Sequence, residues 1–160
     1  MSVVEVERVD TIGLIALNNP PVNAASTALR QGIQAALHEL DADSAIAAIA
    51  IYGKGRTFIA GADITEFGKP LKEPFLPDLC TEIERTKTPV ISVLHGTTLG
   101  GGLEVALGTH ARIAIKGSKV GLPEVALGLL PGAGGTQRTC LLYTSPSPRD
   151  QRGSRMPSSA

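Results

Sequence analysis

The stretch GTTLGGGLE, at positions 96–104, decides which fold the chain can adopt. An apolar run at positions 89–94 precedes it, and a helix-forming run continues after it to Gly108. A continuous apolar run of this length, closed by a turn, predicts a buried strand, and the glycines fall where that strand passes into a helix. Each glycine disfavours a helix by up to about 1 kcal/mol. Together they indicate that another group approaches the backbone closely, either a packed part of the fold or a ligand.

The start of this predicted helix is also a candidate binding site. Amide groups that glycine leaves unhindered at a helix N-terminus, together with the helix dipole, favour a negative charge. The spacing differs from the G-x-x-x-x-G-K-[ST] pattern of phosphate loops and from the G-x-G-x-x-G pattern of dinucleotide-binding turns. Tight packing on the sheet and anion binding therefore stay as the two interpretations of the motif.

Strands and helices alternate on both sides of the glycines. Positions 3–8 alternate apolar and polar residues and positions 12–17 form an apolar run, which predicts two strands joined by a tight turn. The further predicted elements are a helix capped by Ser26 or Thr27 with an apolar stripe at Ile33, Ala36, Leu37 and Leu40, a strand at 46–52, a helix at 76–85 and a strand at 111–115. This order predicts an α/β fold with a largely parallel, buried sheet.

The composition argues against several kinds of partner and setting. The 15 basic and 15 acidic residues give a formal net charge of zero, so neither nucleic acid nor an anionic membrane surface is the expected partner. No apolar run approaches the roughly 20 residues of a membrane span, and the N-terminus lacks the pattern of a secretory signal. Cys80 and Cys140 form neither a metal-binding spacing nor a disulfide framework, which favours a reducing, intracellular setting.

A second motif, AGADI at positions 60–64, follows the predicted strand at 46–52 and a short loop. Small residues let a ligand approach the backbone, and Asp63 suits the start of a helix, where a carboxylate is favoured. An amide group in such a position is able to face an anion. The alternative is a plain turn before a short helix.

Two glutamates, Glu104 and Glu124, lie among apolar residues in the sequence. Glu124 belongs to VGLPEV at positions 120–125, and a glycine-rich segment follows it up to Arg138. Ionising a carboxyl group in an apolar setting costs free energy, so two such glutamates are able to divide acid and base work between them. The alternative is that each is a salt-bridged or solvated residue.

In order and spacing, four segments resemble the enoyl-CoA hydratase/isomerase (crotonase) superfamily. They are positions 18–24, 60–63, 96–104 and 121–138. The likeness runs from about Val3 to Arg138, and NPPVNA at 19–24 and GLPEV at 121–125 resemble most the N-terminal hydratase part of the multifunctional fatty-acid β-oxidation enzymes. The resemblance implies a crotonase-like (ClpP/crotonase) α/β fold of repeated ββα units. In that family C-terminal helices complete the acyl pocket and drive trimer formation, and here the likeness stops before them.

The resemblance also implies a site and a reaction. The amides of Ala62 and Gly101 would form an oxyanion hole for the thioester carbonyl, Glu104 would orient and activate water, and Glu124 would exchange a proton with C2. The implied reaction hydrates trans-2-enoyl-CoA to 3-hydroxyacyl-CoA. The residues expected to bind substrate and CoA are Pro21, Val22, Asn23, Ala24, Ala60, Gly61, Asp63 and Gly100. Enoyl-CoA isomerisation, other acyl-CoA chemistry on the same fold and an inactive truncated fragment stay open as alternatives.

The expected partner is an acyl-CoA, without a metal or redox cofactor. NAD enters the expectation only if the full gene carries a downstream dehydrogenase region. The expected compartment is the cytoplasm of a bacterium, or the peroxisome or mitochondrion of a eukaryote. Self-association is expected for the intact family fold, and for this chain the expectation is weaker, because the resemblance stops before the helices that drive it.

The last stretch, positions 140–160, loses all periodicity and becomes a mixture rich in Ser, Pro and Arg. It resembles the conceptual translation of a transposon-type sequencing-library adapter, and the alternative is a natural disordered tail. We therefore expect the partial hydratase domain to cover positions 1–139, and positions 140–160 to form a non-native tail.

Overall fold

The computed structural model describes residues 2–144. The elements in chain order are β1 (Val4–Val9), β2 (Ile12–Leu17), α1 (Thr27–Asp41), β3 (Ala48–Gly53), the 3₁₀ helix η1 (Ile64–Glu66), α2 (Leu76–Arg85), β4 (Val90–Leu94), β5 (Thr97–Leu99), α3 (Gly101–Gly108), β6 (Ala111–Ala114), β7 (Lys119–Gly121), the 3₁₀ helix η2 (Glu124–Leu127) and α4 (Gly135–Thr144). Within the described residues, β1–β2, β4–β5 and β6–β7 each precede an α-helix, which is the order that repeated ββα units predict.

The main sheet has the strand order β1-β2-β3-β4-β6. β1 and β2 form an antiparallel hairpin with Val4 opposite Leu17, while β2, β3, β4 and β6 run parallel. Parallel strands need helical crossovers that cover the sheet, so the central strands are buried. The predicted hairpin and the predicted largely parallel sheet are confirmed, whereas burial holds for the central strands and not for the edge strand β6, where Ile113 is exposed.

Helix α1 packs its apolar stripe against the hairpin strands. The Ser26 hydroxyl accepts a hydrogen bond from the Leu29 amide at 3.3 Å, so Ser26, one of the two predicted capping residues, caps the helix. Ile33, Leu37 and Leu40 are buried, as their helical spacing predicted. At the other end, the Asp41 carboxylate accepts from the Thr88 amide at 2.8 Å and ties the helix to the segment that enters β4.

A second, two-stranded sheet pairs β5 with β7 in parallel and leads into α3. The chain turns from β5 into α3 at Gly100, where φ is +51°, a conformation that L side chains rarely adopt. A methyl group built on Gly102 would lie 2.1 Å from the Ile59 carbonyl oxygen, so α3 sits directly on a neighbouring backbone segment. Tight packing, one of the two interpretations of the glycine motif, therefore explains Gly102.

Helix α4 extends through Thr144, five residues beyond the predicted end of the domain at Thr139. Positions 145–160 of the predicted tail lie outside the described residues, and the domain boundary stays a prediction. Across residues 2–144, no helix is both long enough and apolar enough to cross a lipid bilayer.

Candidate active site

Two backbone segments meet at the N-terminus of α3. A methyl group built on Gly101 would lie 3.9 Å from the Ala62 amide nitrogen, and one built on Gly100 would lie 3.9 Å from the Gly61 Cα. Within residues 2–144, neither the Ala62 nor the Gly101 amide donates to a backbone carbonyl. The structure therefore brings the two predicted oxyanion-hole amides close together, and one of them, that of Gly101, belongs to the first residue of α3.

Glu104 lies in the first turn of α3 and is only 2% exposed. Its Oε1 accepts hydrogen bonds from the Ala133 amide at 2.7 Å and from the Gly135 amide at 3.0 Å. A buried carboxylate needs such donors, and the positive end of the helix dipole favours it as well. Glu104 is thus fixed in place by the segment just before α4, with one of its two oxygens engaged.

Glu124 begins η2 and is half-buried. Its Oε2 is buried and has no hydrogen-bond partner among the described residues. Its Oε1 lies only 3.1 Å from the point where a Cβ on Gly100 would sit, so the carboxylate occupies space that any other residue at position 100 would fill. A buried acceptor without a protein partner is uncommon in a folded protein, and this oxygen is open to a hydrogen bond from a water molecule or a substrate group.

One cavity of about 240 Å³ joins these groups. Ala62, Gly101, Glu104 and Glu124 all line it, so the structure brings together the four residues predicted to act on the substrate. Leu76 and Pro77, at the start of α2, form part of its wall and also border a second cavity of about 560 Å³. Both cavities present mainly apolar surface, and the larger one is also bordered by the charged residues Arg30, Asp63, Glu66 and Asp78.

The predicted substrate-binding residues divide into two groups. Ala60, Gly61 and Gly100 line a small cavity of about 160 Å³ together with Glu124, and Asp63 borders the apolar cavity of about 560 Å³. The second group consists of the four consecutive residues at positions 21–24. It lines neither of these cavities, nor the cavity of about 240 Å³ around the two glutamates.

Two residues of that second group form hydrogen bonds with the chain segment that carries Ala60 and Gly61. The buried Asn23 donates from Nδ2 to the Lys54 carbonyl at 3.0 Å and to the Thr57 carbonyl at 2.9 Å. The Val22 carbonyl accepts from the Ala60 amide at 3.1 Å. The Val22 contact holds the start of the AGADI segment, and the Asn23 contacts hold the loop that leads into it. A direct role of Pro21, Val22, Asn23 and Ala24 in binding CoA stays a prediction.

The Asp63 side chain is committed to local structure. Its Oδ1 accepts from the Thr65 amide at 2.9 Å and caps η1. Hydrogen bonds from the Thr65 side chain and amide hold the pKa of Asp63 below its ordinary value of 3.8. The plain turn before a short helix, weighed as the alternative for this motif, therefore describes the Asp63 side chain, while the neighbouring Ala62 lines the cavity around the two glutamates.

Sequence reasoning missed Arg30, a buried cation beside the apolar cavity. Position 30 falls three residues before Ile33 and seven before Leu37, on the apolar stripe of α1. An arginine on an otherwise apolar helix face indicates a buried ion pair or hydrogen-bond network, because an unpaired charge there is too costly. That signal was present in the spacing of the predicted helix.

Comparison with known proteins gives one consistent result. The pattern of the family described as Enoyl-CoA hydratase/isomerase matches residues 7–141. The peroxisomal bifunctional enzyme of Homo sapiens is 49% identical over 129 residues, which are 80% of this chain and 18% of that protein. The probable enoyl-CoA hydratase of Bacillus subtilis is 40% identical over 134 residues, or 79% of this chain and 52% of that protein.

Among solved structures, enoyl-CoA hydratase from Bacillus anthracis superposes with a TM-score of 0.82 at 30% identity, covering 94% of this chain and 61% of that chain. The chain spans about a fifth of the length of its peroxisomal bifunctional relatives. The predicted likeness to multifunctional β-oxidation enzymes and the predicted fold class are confirmed. The chain belongs to the enoyl-CoA hydratase/isomerase family and has a crotonase-like fold.

Proposed function

We propose that this chain carries the catalytic centre of an enoyl-CoA hydratase of fatty-acid β-oxidation, which adds water to trans-2-enoyl-CoA and forms 3-hydroxyacyl-CoA. The observation that supports it most is the meeting of two glutamates and two adjacent backbone amides around one cavity. Relatives named probable enoyl-CoA hydratase and peroxisomal bifunctional enzyme support the same reaction class.

The two amides are suited to the charge that the reaction creates. When water attacks C3, the electron pair of the double bond moves toward the thioester oxygen, and an enolate forms. The Ala62 and Gly101 amides would donate to this oxygen, and their orientation is set by the folded backbone. One such pre-aimed donor is typically worth about 3–4 kcal/mol of the barrier.

The two glutamates differ in a way that suits two roles. Glu104 has Oε1 engaged by two amides, so Oε2 is the oxygen that would accept the proton of water as the bond from oxygen to C3 forms. Glu124, with its unpartnered Oε2, would enter protonated and deliver its proton to C2. Return of the proton from Glu104 to Glu124 completes the cycle, so one water is consumed per product.

The acyl chain would enter the apolar cavity beside Ala62. That cavity, about 560 Å³ in volume, is lined by Phe67, Leu71, Phe75 and Leu76. Burial of each methylene group against such a wall stabilises the complex by about 0.8 kcal/mol. An apolar tail bound there would place its thioester end next to the two amides.

The remaining expectations follow from the relatives' names. A peroxisomal location is proposed for a eukaryotic source, since several relatives are named peroxisomal enzymes, and the cytoplasm is proposed for a bacterial source. Use of NAD would require a dehydrogenase region elsewhere in the gene. Self-association stays a prediction.

The direct test follows the loss of crotonyl-CoA absorbance with this chain and three variants. We expect Glu104→Gln and Glu124→Gln each to lower kcat/KM at least about 100-fold, the low end for acid–base catalysis. The matched control is Glu39→Gln, a change at an exposed ion pair with Arg8 on the far side of α1.

Three outcomes would contradict the proposal. If neither active-site variant falls below the control, the glutamates do not carry the reaction. If the folded wild-type chain shifts the double bond of a 3-enoyl-CoA but adds no water, the isomerase alternative replaces the hydratase. A folded chain with neither activity would favour the inactive fragment.

A further inference from the structure

Arg30 uses its whole guanidinium group although it is only 7% exposed. Nε donates to the Pro74 carbonyl at 2.8 Å. The other four bonds run from Nη1 to the Ala25 carbonyl at 2.8 Å and Glu66 Oε2 at 3.1 Å, and from Nη2 to Thr27 Oγ1 at 3.1 Å and the Lys72 carbonyl at 3.1 Å. A guanidinium has five N–H groups, so every donor of this buried cation has an acceptor.

Three of these acceptors lie on one loop. We call residues 61–75 the clamped loop, because Glu66, Lys72 and Pro74 all belong to it while Arg30 belongs to α1. Glu66 adds a second link, since its Oε1 accepts from the Thr27 amide at 2.7 Å. Burial acts to raise the pKa of Glu66, but the hydrogen bonds from Thr27 and Arg30 outweigh it and the pKa lies below the ordinary value of 4.5.

The clamped loop has few apolar anchors of its own. Ile64, Phe67 and Leu71 are exposed, and no residue from 61 to 73 is fully buried. A segment with little buried apolar surface opens at low free-energy cost. Polar contacts with α1 therefore attach the middle of this loop to the fold: three hydrogen bonds from Arg30, one from the Thr27 amide to Glu66, and one from Gln31 Nε2 to the Glu73 carbonyl at 2.9 Å.

The clamped loop also carries both parts of the site that would contact an acyl thioester. Ala62, the predicted oxyanion donor, stands at its start, and Phe67, Leu71 and Phe75 form the wall of the apolar cavity. The start of the loop is tied to the same network, because the Ala25 amide donates to the Gly61 carbonyl at 2.9 Å while the Ala25 carbonyl accepts from Arg30.

We propose that Arg30 is a positioning residue that holds the clamped loop as the wall of the acyl cavity, and so sets how strongly the site prefers longer acyl chains. This inference rests on the proposed function. Arg30 itself would not contact the reacting carbons. It would act by holding the loop residues Phe67 and Leu71 in position. A short acyl group touches little of this wall and a long one touches more of it, which makes the effect depend on chain length.

The first measurement is amide hydrogen exchange of the free protein. In Arg30→Met, and also in Arg30→Lys, we expect the hydrogen-bonded amides of the loop, at positions 65, 66, 67 and 69, to exchange at least about tenfold faster, which is the effect of losing one hydrogen bond to a charged group. Lysine is not expected to rescue, because one ammonium group lacks the planar fork that reaches Ala25, Glu66 and Pro74 together. Amides of β3 and β4 should keep their rates, as should all amides in the control Arg8→Met.

A second variant keeps the test decisive if Arg30→Met does not fold. Glu66→Gln preserves shape but removes the charged acceptor of Arg30, so it should accelerate exchange in the same positions by a smaller factor. Unchanged exchange at the amides of positions 65, 66, 67 and 69 in either folded variant would overturn the proposal, and so would acceleration spread evenly over β3 and β4.

The second measurement is calorimetric binding of butyryl-CoA and dodecanoyl-CoA. We expect the wild-type chain and Arg8→Met to bind dodecanoyl-CoA at least about tenfold more tightly, since it buries more methylene groups. In Arg30→Met this ratio should fall to within about threefold. A mere loss of folded protein lowers both affinities alike and leaves the ratio unchanged, and that result would overturn the selectivity role.

Failure of the proposed function has its own signature. If the wild-type chain binds neither thioester, the proposed function and the selectivity role both fall. Hydrogen exchange would still decide whether Arg30 holds the loop.

Discussion

The two glutamates of the site come from regions with opposite surroundings. Glu104 is carried by α3, where Val105 and Ala106 are buried in the core. Glu124 is carried by η2, where Val125 is 74% exposed, and Leu130, just after it, is 83% exposed. We call α3 with its strands β4 and β5 the buried half of the site, and residues 121–134 the exposed half.

The sequence neighbours of these glutamates do not reveal this difference. Each is flanked by apolar residues, Leu103 and Val105 in one case and Pro123 and Val125 in the other. In the buried half the strands and helix fix Glu104, and in the exposed half Glu124 is held by a single short turn of 3₁₀ helix. Burial therefore depends on which element carries the residue, and local composition alone does not determine it.

The largest expected effect is on stability, from a single methyl group in the buried half. Gly102→Ala places a Cβ 2.1 Å from the Ile59 carbonyl oxygen. Relieving this clash would require one of the two backbone segments to move. We expect a loss of at least about 3 kcal/mol in urea unfolding, or failure to fold, because overpacking of this kind is costly. In the exposed half, Gly132→Ala meets nothing closer than 4.0 Å and should stay within about 0.5 kcal/mol of the wild type. Equal losses in the free energy of unfolding of the two variants would contradict the proposed difference between the buried and exposed halves.

Removing each carboxylate sharpens the same contrast. Glu104→Ala leaves the buried Ala133 and Gly135 amides without their acceptor, so we expect a loss of about 2–4 kcal/mol in the free energy of unfolding. Glu124→Ala removes a carboxylate whose Oε2 already lacks a partner among the described residues, and should change stability by less than about 0.5 kcal/mol. Thermal unfolding of both proteins, with Glu104→Gln as the variant that keeps an acceptor, checks this. A larger loss in Glu124→Ala would show that the exposed half is the more firmly held.

A smaller effect should appear with pH in the clamped loop. The folded pKa of Glu66 lies below 4.5, so its contribution to stability is complete above about pH 4.5 and is lost as the pH falls through the folded value. We therefore expect Glu66→Gln to melt below the wild type at pH 7 and the gap to close in acid. The control Glu39→Gln, at an exposed pair, should show little gap at either pH. A gap that widens in acid would contradict the sign of the shift.

Much of the buried half could be predicted from sequence, because its signals are local. The apolar run at 89–94 and the glycines after it predicted β4 and α3 within one residue of their observed bounds. The apolar stripe of α1 and its Ser26 cap were predicted in the same way. Periodicity and capping are properties of neighbouring residues, so a single sequence carries them.

The contacts that finish the site could not be predicted, because they join distant residues. β5 and β7 have three residues each, too few for a periodic pattern, and pair across about 20 residues of chain. Glu104 bonds to amides that lie 29 and 31 residues later, and no spacing rule predicts such partners. The family resemblance supplied the roles of Ala62 and Gly101, and the structure supplied their proximity.

The most direct test of the central claim is infrared spectroscopy of the thioester carbonyl in bound, carbon-13-labelled butyryl-CoA, which does not react. The claim is that the Ala62 and Gly101 amides act together on one carbonyl oxygen. Gly101 is the first residue of α3, where proline is tolerated, so Gly101→Pro removes this donor. Gly101→Ala keeps the donor and introduces the same Cβ contact with Leu76.

We predict that the carbonyl band shifts to lower frequency in the wild type and in Gly101→Ala, because two donors polarise the bond. In Gly101→Pro most of that shift should be lost. A band at the frequency of free butyryl-CoA in the bound wild type, or a full shift in Gly101→Pro, would contradict the account.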